Sequence, residues 1–396
     1  MKKIFDKKIL RTLLLSFLFI VTLAVSQGCV TSKETIKVPT IKRVAAGEML
    51  VTRAFHNSVL LKDGRVIIFG GVGDSYQVHA EIYDPETKTN KAIKSKMIAE
   101  NVSDLSGIKG FLLDDGKVLL VNKAFLQVFN PETEEFTKIN IESPYELTKT
   151  NMKFANIPDI WLNIDNIIEL GEDRFFMTDR RYSYIFNAKN NSFKITEIDL
   201  PHIIKNKNGK RPLPDGSSIV KVKNNNLIIT GGVINSYPDN SRIRDEIIEF
   251  NIDKNTSKVI GKLLIPRISH KSFLLPDGNI LTVGGRLPNE SKNEPDFIPV
   301  EIYNTKLQES KVVGYISSKR FKFILIGDNL IAAGDHKIDI FNTKTNKLYS
   351  TNTELKRASG QSVTVLNNKT ILMTGGISSR SYFANYLKNI DLFYLK

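Results

Sequence analysis

The 396-residue chain is predicted to be all-β: a seven-bladed β-propeller of four-stranded antiparallel blades, its ring closed by an N-terminal strand. Three observations point there. A hairpin phrase ending in a glycine pair returns along the chain, and an aromatic marker returns in step with it. The last repeat also stops one strand short, while a spare strand precedes the first.

The hairpin phrase is clearest in HNSVLLKDGRVIIFGG at 56–71, where an apolar run, Asp63-Gly64, a second apolar run and Gly70-Gly71 follow one another. Asp-Gly between two β-rich runs predicts a tight hairpin, because both residues tolerate the positive φ that such a turn needs. The phrase returns as HKSFLLPDGNILTVGG at 270–285 and as QSVTVLNNKTILMTGG at 361–376. Shorter copies stand at 114–122, 171–179, 223–232 and 327–335.

The second marker is an apolar residue, an aromatic, then Asp or Asn. Most copies follow that form: Ile82-Tyr83-Asp84, Val128-Phe129-Asn130, Ile185-Phe186-Asn187, Ile302-Tyr303-Asn304 and Ile340-Phe341-Asn342. Glu249-Phe250-Asn251 and Leu392-Phe393-Tyr394 are variants of it. The aromatic suits the half-buried face of a third strand, and the Asp or Asn starts the turn into a fourth by bonding its own backbone. The final copy is followed only by Leu395 and Lys396, so the last blade lacks its fourth strand. Residues 34–43, ETIKVPTIKR, read as the strand that supplies it, which removes an exposed sheet edge.

This order of DG, GG and aromatic-Asp/Asn resembles kelch repeats over roughly residues 44–396. It is strongest where Arg53-x-x-His56-x-Ser58 and Arg267-x-x-His270-x-Ser272 precede the hairpin, and Arg357-x-x-Gly360-x-Ser362 keeps part of it. The fourth strand departs from the family. Trp161, the sole tryptophan, lies elsewhere, and Phe136, Phe193 or aliphatic residues stand at the expected position.

Residues 1–29 read as a signal peptide: a cationic start, the apolar run LLLSFLFIVTLAV at 13–25, then Ser26-Gln27-Gly28-Cys29. The run is too short for a permanent span. Cys29, the only cysteine, is placed as in a bacterial lipobox, so a lipid anchor at Cys29 is expected, with simple secretion the alternative. Residues 30–396 then form one propeller domain in an exported protein of the cell envelope, held to a membrane by that lipid.

Net charge is +14, part of it in Lys2, Lys3, Lys7, Lys8 and Arg11. The remaining Lys and Arg are scattered without a long basic run, so no nucleic-acid partner is expected. The basic balance favours anionic partners. Arg53, His56, Arg267, His270 and Arg357 occupy matching repeat positions, either as a grip for an acidic ligand or as ties between blades. The loops between second and third strands, roughly 72–80, 233–246, 286–299 and 377–388, carry Tyr76, His79, Tyr237, Arg242, Arg244, Arg286, Arg380 and Tyr382. Tyr and Arg on loops of a rigid scaffold are the composition of a binding face.

No GxSxG, HExxH or phosphate loop is present, and His79, His202 and His336 lack metal-site spacing, so neither metal nor cofactor is expected. The expected function is a non-enzymatic binding module for a protein or glycan. The kelch resemblance implies an alternative, a sugar-active enzyme similar to sialic-acid mutarotases, with Arg53, His56, Arg267 and His270 as its polar groups. The copper radical oxidases of that family need a cysteine cross-linked to tyrosine, and Cys29 has no counterpart further along.

Overall fold

Seven hairpin phrases become seven antiparallel sheets in the computed structural model. It describes residues 39–74, 79–99, 105–122, 126–139, 162–179, 183–196, 214–234, 242–287, 297–317, 322–379 and 385–396. All of these fall in one unit, Pro39–Lys396.

Each blade is a meander of four strands that runs from the axis outwards. Blade I is Asn57–Leu60, Val66–Phe69, Ala80–Asp84 and Thr89–Ala92. Blade II is Lys109–Leu112, Val118–Val121, Leu126–Asn130 and Glu135–Lys138. Blade III is Leu162–Gly171, Arg174–Asp179, Ser183–Asn187 and Ser192–Thr196. Blade IV is Ser218–Lys221, Asn226–Thr230, Glu246–Asn251 and Thr256–Lys262. Blade V is Lys271–Leu274, Ile280–Val283, Phe297–Asn304 and Glu309–Ser317. Blade VI is Lys322–Ile326, Asn329–Gly334, Lys337–Asn342 and Lys347–Glu354. Blade VII is Ser362–Asn367, Thr370–Thr374 and Asn389–Leu395, completed by Ile41–Glu48 from the other end of the chain.

The N-terminal strand thus closes the ring, but over Ile41–Glu48 rather than 34–43; residues 34–38 lie outside the described residues. Pairing begins where Thr40 and Lys396 exchange backbone hydrogen bonds, next to Pro39, which has no N–H to offer. The register runs from Ile41↔Leu395 to Glu48↔Asn389, with a bulge between Ala45 and Glu48. Ala and Gly are weak strand formers, which hides RVAAGE from a propensity reading. Contact with blade I selects them: Ala46 is fully buried, and its carbonyl, freed by the bulge, accepts the Tyr83 hydroxyl at 2.7 Å.

All seven marker aromatics, Tyr83, Phe129, Phe186, Phe250, Tyr303, Phe341 and Phe393, are at most 1 % exposed and fill the spaces between blades. Phe136 and Phe193 take the outer-strand place, their rings 4.9 Å from Phe129 and 4.5 Å from Phe186. Tyr303 repeats the Tyr83 arrangement: its hydroxyl donates to Ile260 O of blade IV at 2.5 Å, beside a bulge in that outer strand. A Cβ on Gly261 would lie 2.5 Å from the Tyr303 ring. Gly261→Ala is therefore expected to destabilise the protein by about 1–3 kcal/mol through overpacking. Calorimetry that found Gly261→Ala as stable as the parent would contradict this packing.

The third-to-fourth-strand turns follow one design. The marker Asp or Asn accepts the N–H two or three residues on at Asp84, Asn130, Asn187, Asn251, Asn304 and Asn342. Four residues after it, Lys88, Glu134, Asn191, Asn255, Gln308 and Asn346 have φ between 52° and 58°. That region is costly for residues with a Cβ. Gln308→Gly, at φ 58°, is accordingly expected to raise stability by up to about 1 kcal/mol, read as a higher denaturant midpoint. The Asp-Gly hairpins correct the expectation of two positive φ values. Only Gly64, Gly116 and Gly278 are positive, while Asp63, Asp115 and Asp277 accept the N–H two residues on. A turn closed by one left-handed glycine gives the same reversal.

Candidate functional site

In a four-stranded meander the loops between second and third strands emerge on the same face as the linkers that enter the next blade. Backbone bridges tie the two together: Ala54 to Val72, Asp215 to Val233, Ile268 to Arg286 and Ser359 to Ile377, each just after a glycine pair or in the linker facing it. This face holds the described candidate binding residues and the starts of the described first strands.

The recurrent arginines turn inwards from it. Arg53 is 4 % exposed and donates to Glu81 at 3.3 Å and to Gly70 O at 2.8 Å. Arg267, fully buried, donates to Glu301, Gly284 O and Pro299 O. Arg357, also fully buried, pairs with Asp391 at 2.7 Å. Glu81, Glu301 and Asp391 share one position, two residues before the marker aromatic, and each is at most 1 % exposed. Burial lowers the arginine pKa values, and the paired carboxylate opposes the shift. Burial likewise raises the Glu81 carboxyl, against the pull of the Leu50 N–H and of Arg53. The same carboxylates hold the linker backbone, with Leu50 N–H on Glu81 at 2.8 Å and Leu264 N–H on Glu301 at 2.7 Å. Gln127 does this in blade II by exchanging two bonds with Ile98.

The two histidines join blades. His56 Nε2 meets Thr374 Oγ1 of blade VII at 2.8 Å, and His270 Nε2 meets Thr230 Oγ1 of blade IV at 2.8 Å. Serines extend both contacts: Ser58 reaches Ser362 at 2.7 Å, and Ser272 reaches Thr230 at 2.9 Å. Burial, reinforced by neighbouring cations, drives His56 well below its ordinary pKa and His270 to about 3. A histidine neutral when folded yet able to protonate when unfolded stabilises above the unfolded pKa, and that contribution is lost as pH falls. Unfolding free energy is thus expected to decline below about pH 6.5, and for His270 to keep declining to about pH 3. Chemical denaturation across that range should show a flatter slope in His270→Gln; an unchanged slope would remove His270 from the account.

The structure also revises the third repeat motif. Ser359 is bridged as Ala54 and Ile268 are, so Gln361, not Gly360, stands where His56 and His270 stand. Arg357 consequently enters one residue early, and it meets the shorter Asp391 instead of a glutamate. Sequence spacing alone aligned Gly360 with the histidines.

Of the loop candidates, Arg244 forms a two-pronged pair with Glu246 at 2.7 and 2.5 Å. His79 is half-buried, and burial lowers its pKa. Arg286 is exposed, and no side-chain partner is found for it among the described residues. Arg242 is described only in its backbone, paired with Ile234 in a short ribbon. Tyr76, Tyr237, Arg380, Tyr382, Trp161 and Cys29 lie outside the described residues. Among the described residues no group of three His, Cys, Asp or Glu could hold a metal, and no helix is long and apolar enough to cross a membrane.

Sequence reasoning missed the apolar component of this face. Leu50 (47 % exposed), Phe55 (50 %), Ile98 (40 %) and Leu264 (57 %) all lie on linkers entering blades. Their signal was available: Leu50 and Leu264 each stand three residues before a motif arginine. No protein-family model and no curated protein matches the chain. The fold defines a seven-bladed β-propeller.

Proposed function

We propose that the protein is a non-enzymatic binding module, a kelch-like propeller that presents this loop-and-linker face to a protein or glycan partner at the cell envelope. One observation carries the reading. Large apolar side chains stand exposed at Leu50, Ile98 and Leu264 while a buried third-strand side chain pins the backbone of each. Exposed apolar groups on a rigid frame gain area on binding with little loss of conformational freedom. The acid–base groups that a sugar-active enzyme would draw on, His56 and His270, are instead engaged between blades.

Photo-crosslinkers placed at Leu264 and, on the opposite face, at Leu307 (68 % exposed) test the proposal. Adducts with a defined envelope component are expected from position 264 alone. Equal labelling from both positions, or labelling from 307 only, would defeat it. The proposal includes export and acylation of Cys29: Cys29→Ser is expected to abolish incorporation of a tagged fatty acid and to move the protein out of the membrane fraction. Retained labelling would refute the anchor.

A further inference from the structure

In six blades the first residue of the inner strand occupies one register position, opposite the residue that precedes the glycine pair or its equivalent: Asn57↔Phe69, Lys109↔Val121, Ser218↔Thr230, Lys271↔Val283, Lys322↔Ala333 and Ser362↔Thr374. At two blade interfaces this position belongs to a closed polar network. Ser362 works with His56, Thr374 and Ser58, and Ser218 with His270, Thr230 and Ser272.

The interfaces on both sides of blade VI lack this network. Between blades VI and VII the matching set is Gln361, Ala333, Lys322 and Val363, so the threonine that would meet the Gln361 amide is an alanine. Gln361 is only 8 % exposed, and its Oε1 has no hydrogen-bond partner. Between blades V and VI the set includes Val283, Lys271 and Phe323, again with lysine in place of serine. The side chains of Lys271 and Lys322 have neither ion pair nor hydrogen bond among the described residues. A buried amide without its partner and a half-buried ammonium without a counter-ion, that of Lys322, are each unfavourable for folding alone.

We propose that the mouth of the channel at blade VI is an oxyanion site, in which Lys271 and Lys322 supply the charge and the Gln361 Nε2–H group donates a hydrogen bond, for the carboxylate or phosphate of an acidic sugar. The inference rests on the reading of this face as the binding face and gives its ligand a chemistry. Burial, and then the nearby Lys271 charge, lower the Lys322 pKa, which places the two ammonium groups within each other's field. An anion between them relieves that repulsion. Lys322 also acts on His56, so the positive field reaches the blade I side of the mouth.

Calorimetric titration of the full protein with glucuronate, glucose 6-phosphate, glucose and inorganic phosphate tests the site. Binding of an anionic sugar, and not of glucose, is expected. Lys271→Gln and Lys322→Gln should each weaken it about tenfold or more. Lys254→Gln, on the opposite face, should leave it unchanged. Melting curves of Lys322→Gln at or above the parent's temperature show that loss of binding is not loss of fold. Binding of inorganic phosphate without either sugar supports the site with a free oxyanion as its ligand. No binding of any anion up to about 10 mM, or an affinity in both lysine variants equal to the parent's, overturns it. If crosslinks from Leu264 persist while no anion binds, the site alone fails. If an anion binds while crosslinks arise only from Leu307, the binding-face reading fails.

Discussion

Arg267→Met is expected to lower the unfolding free energy by about 3–5 kcal/mol, because it strands the Glu301 carboxylate in a place that water does not reach. The effect is large for a structural reason. Arg267 also satisfies two backbone carbonyls, Gly284 O and Pro299 O, at 3.2 and 3.1 Å, which the variant leaves bare. The double variant Arg267→Met with Glu301→Leu should recover much of the loss, since a buried ion pair and an apolar replacement are often close in stability. Recovery should stop short of the parent, because the Leu264 N–H then loses its acceptor. Denaturant titration of the three variants separates these effects. A single variant within about 1 kcal/mol of the parent would show that the pair is not the anchor of this linker.

Removal of the closing strand, residues 39–48, should be at least as damaging. It unpairs Asn389–Leu395 along its whole outer edge, removes Arg43 from Asp391 at 2.9 Å and takes away the acceptor of the Tyr83 hydroxyl. A loss of several kcal/mol with concentration-dependent association is expected, as an unprotected strand edge is a template for pairing. Light scattering of the truncated protein, with and without an added peptide of residues 39–49, provides the measurement. The peptide should restore the monomer. A truncated protein that stays monomeric without it would deny the strand its closing role.

Much of this architecture was readable because it is periodic. Each marker aromatic must fill the gap between two blades, so its identity survives in all seven repeats, and the Asp or Asn beside it survives where a turn must be capped. Features that depend on register were less readable. Arg357 and Ser362 keep the spacing of Arg53 and Ser58, yet the backbone enters blade VII one residue out of step, so Gln361 takes the histidine's place. The later part of the closing strand, 44–48, was hidden because contact with Tyr83 at Ala46, not strand propensity, shapes it. Glu81, Glu301 and Asp391 stand at a constant distance before the aromatic, a signal strong enough to have paired them with the arginines. The candidate site was half legible. The face was anticipated from its loops, but its recurrent arginines proved to be internal and its exposed leucines went unnoticed.

Asp391 receives Arg43 from the closing strand and Arg357 from the preceding linker. The first of these partners is 348 residues away along the chain. A ring sealed across such a separation acquires its last contact only after almost every other one is in place, and closure over long sequence distances is slow. Until then one carboxylate has a single cation beside it, and two sheet edges stay open. On that order of events, the period of greatest exposure to misassembly is expected to fall at the end of folding, before the N-terminal strand is seated.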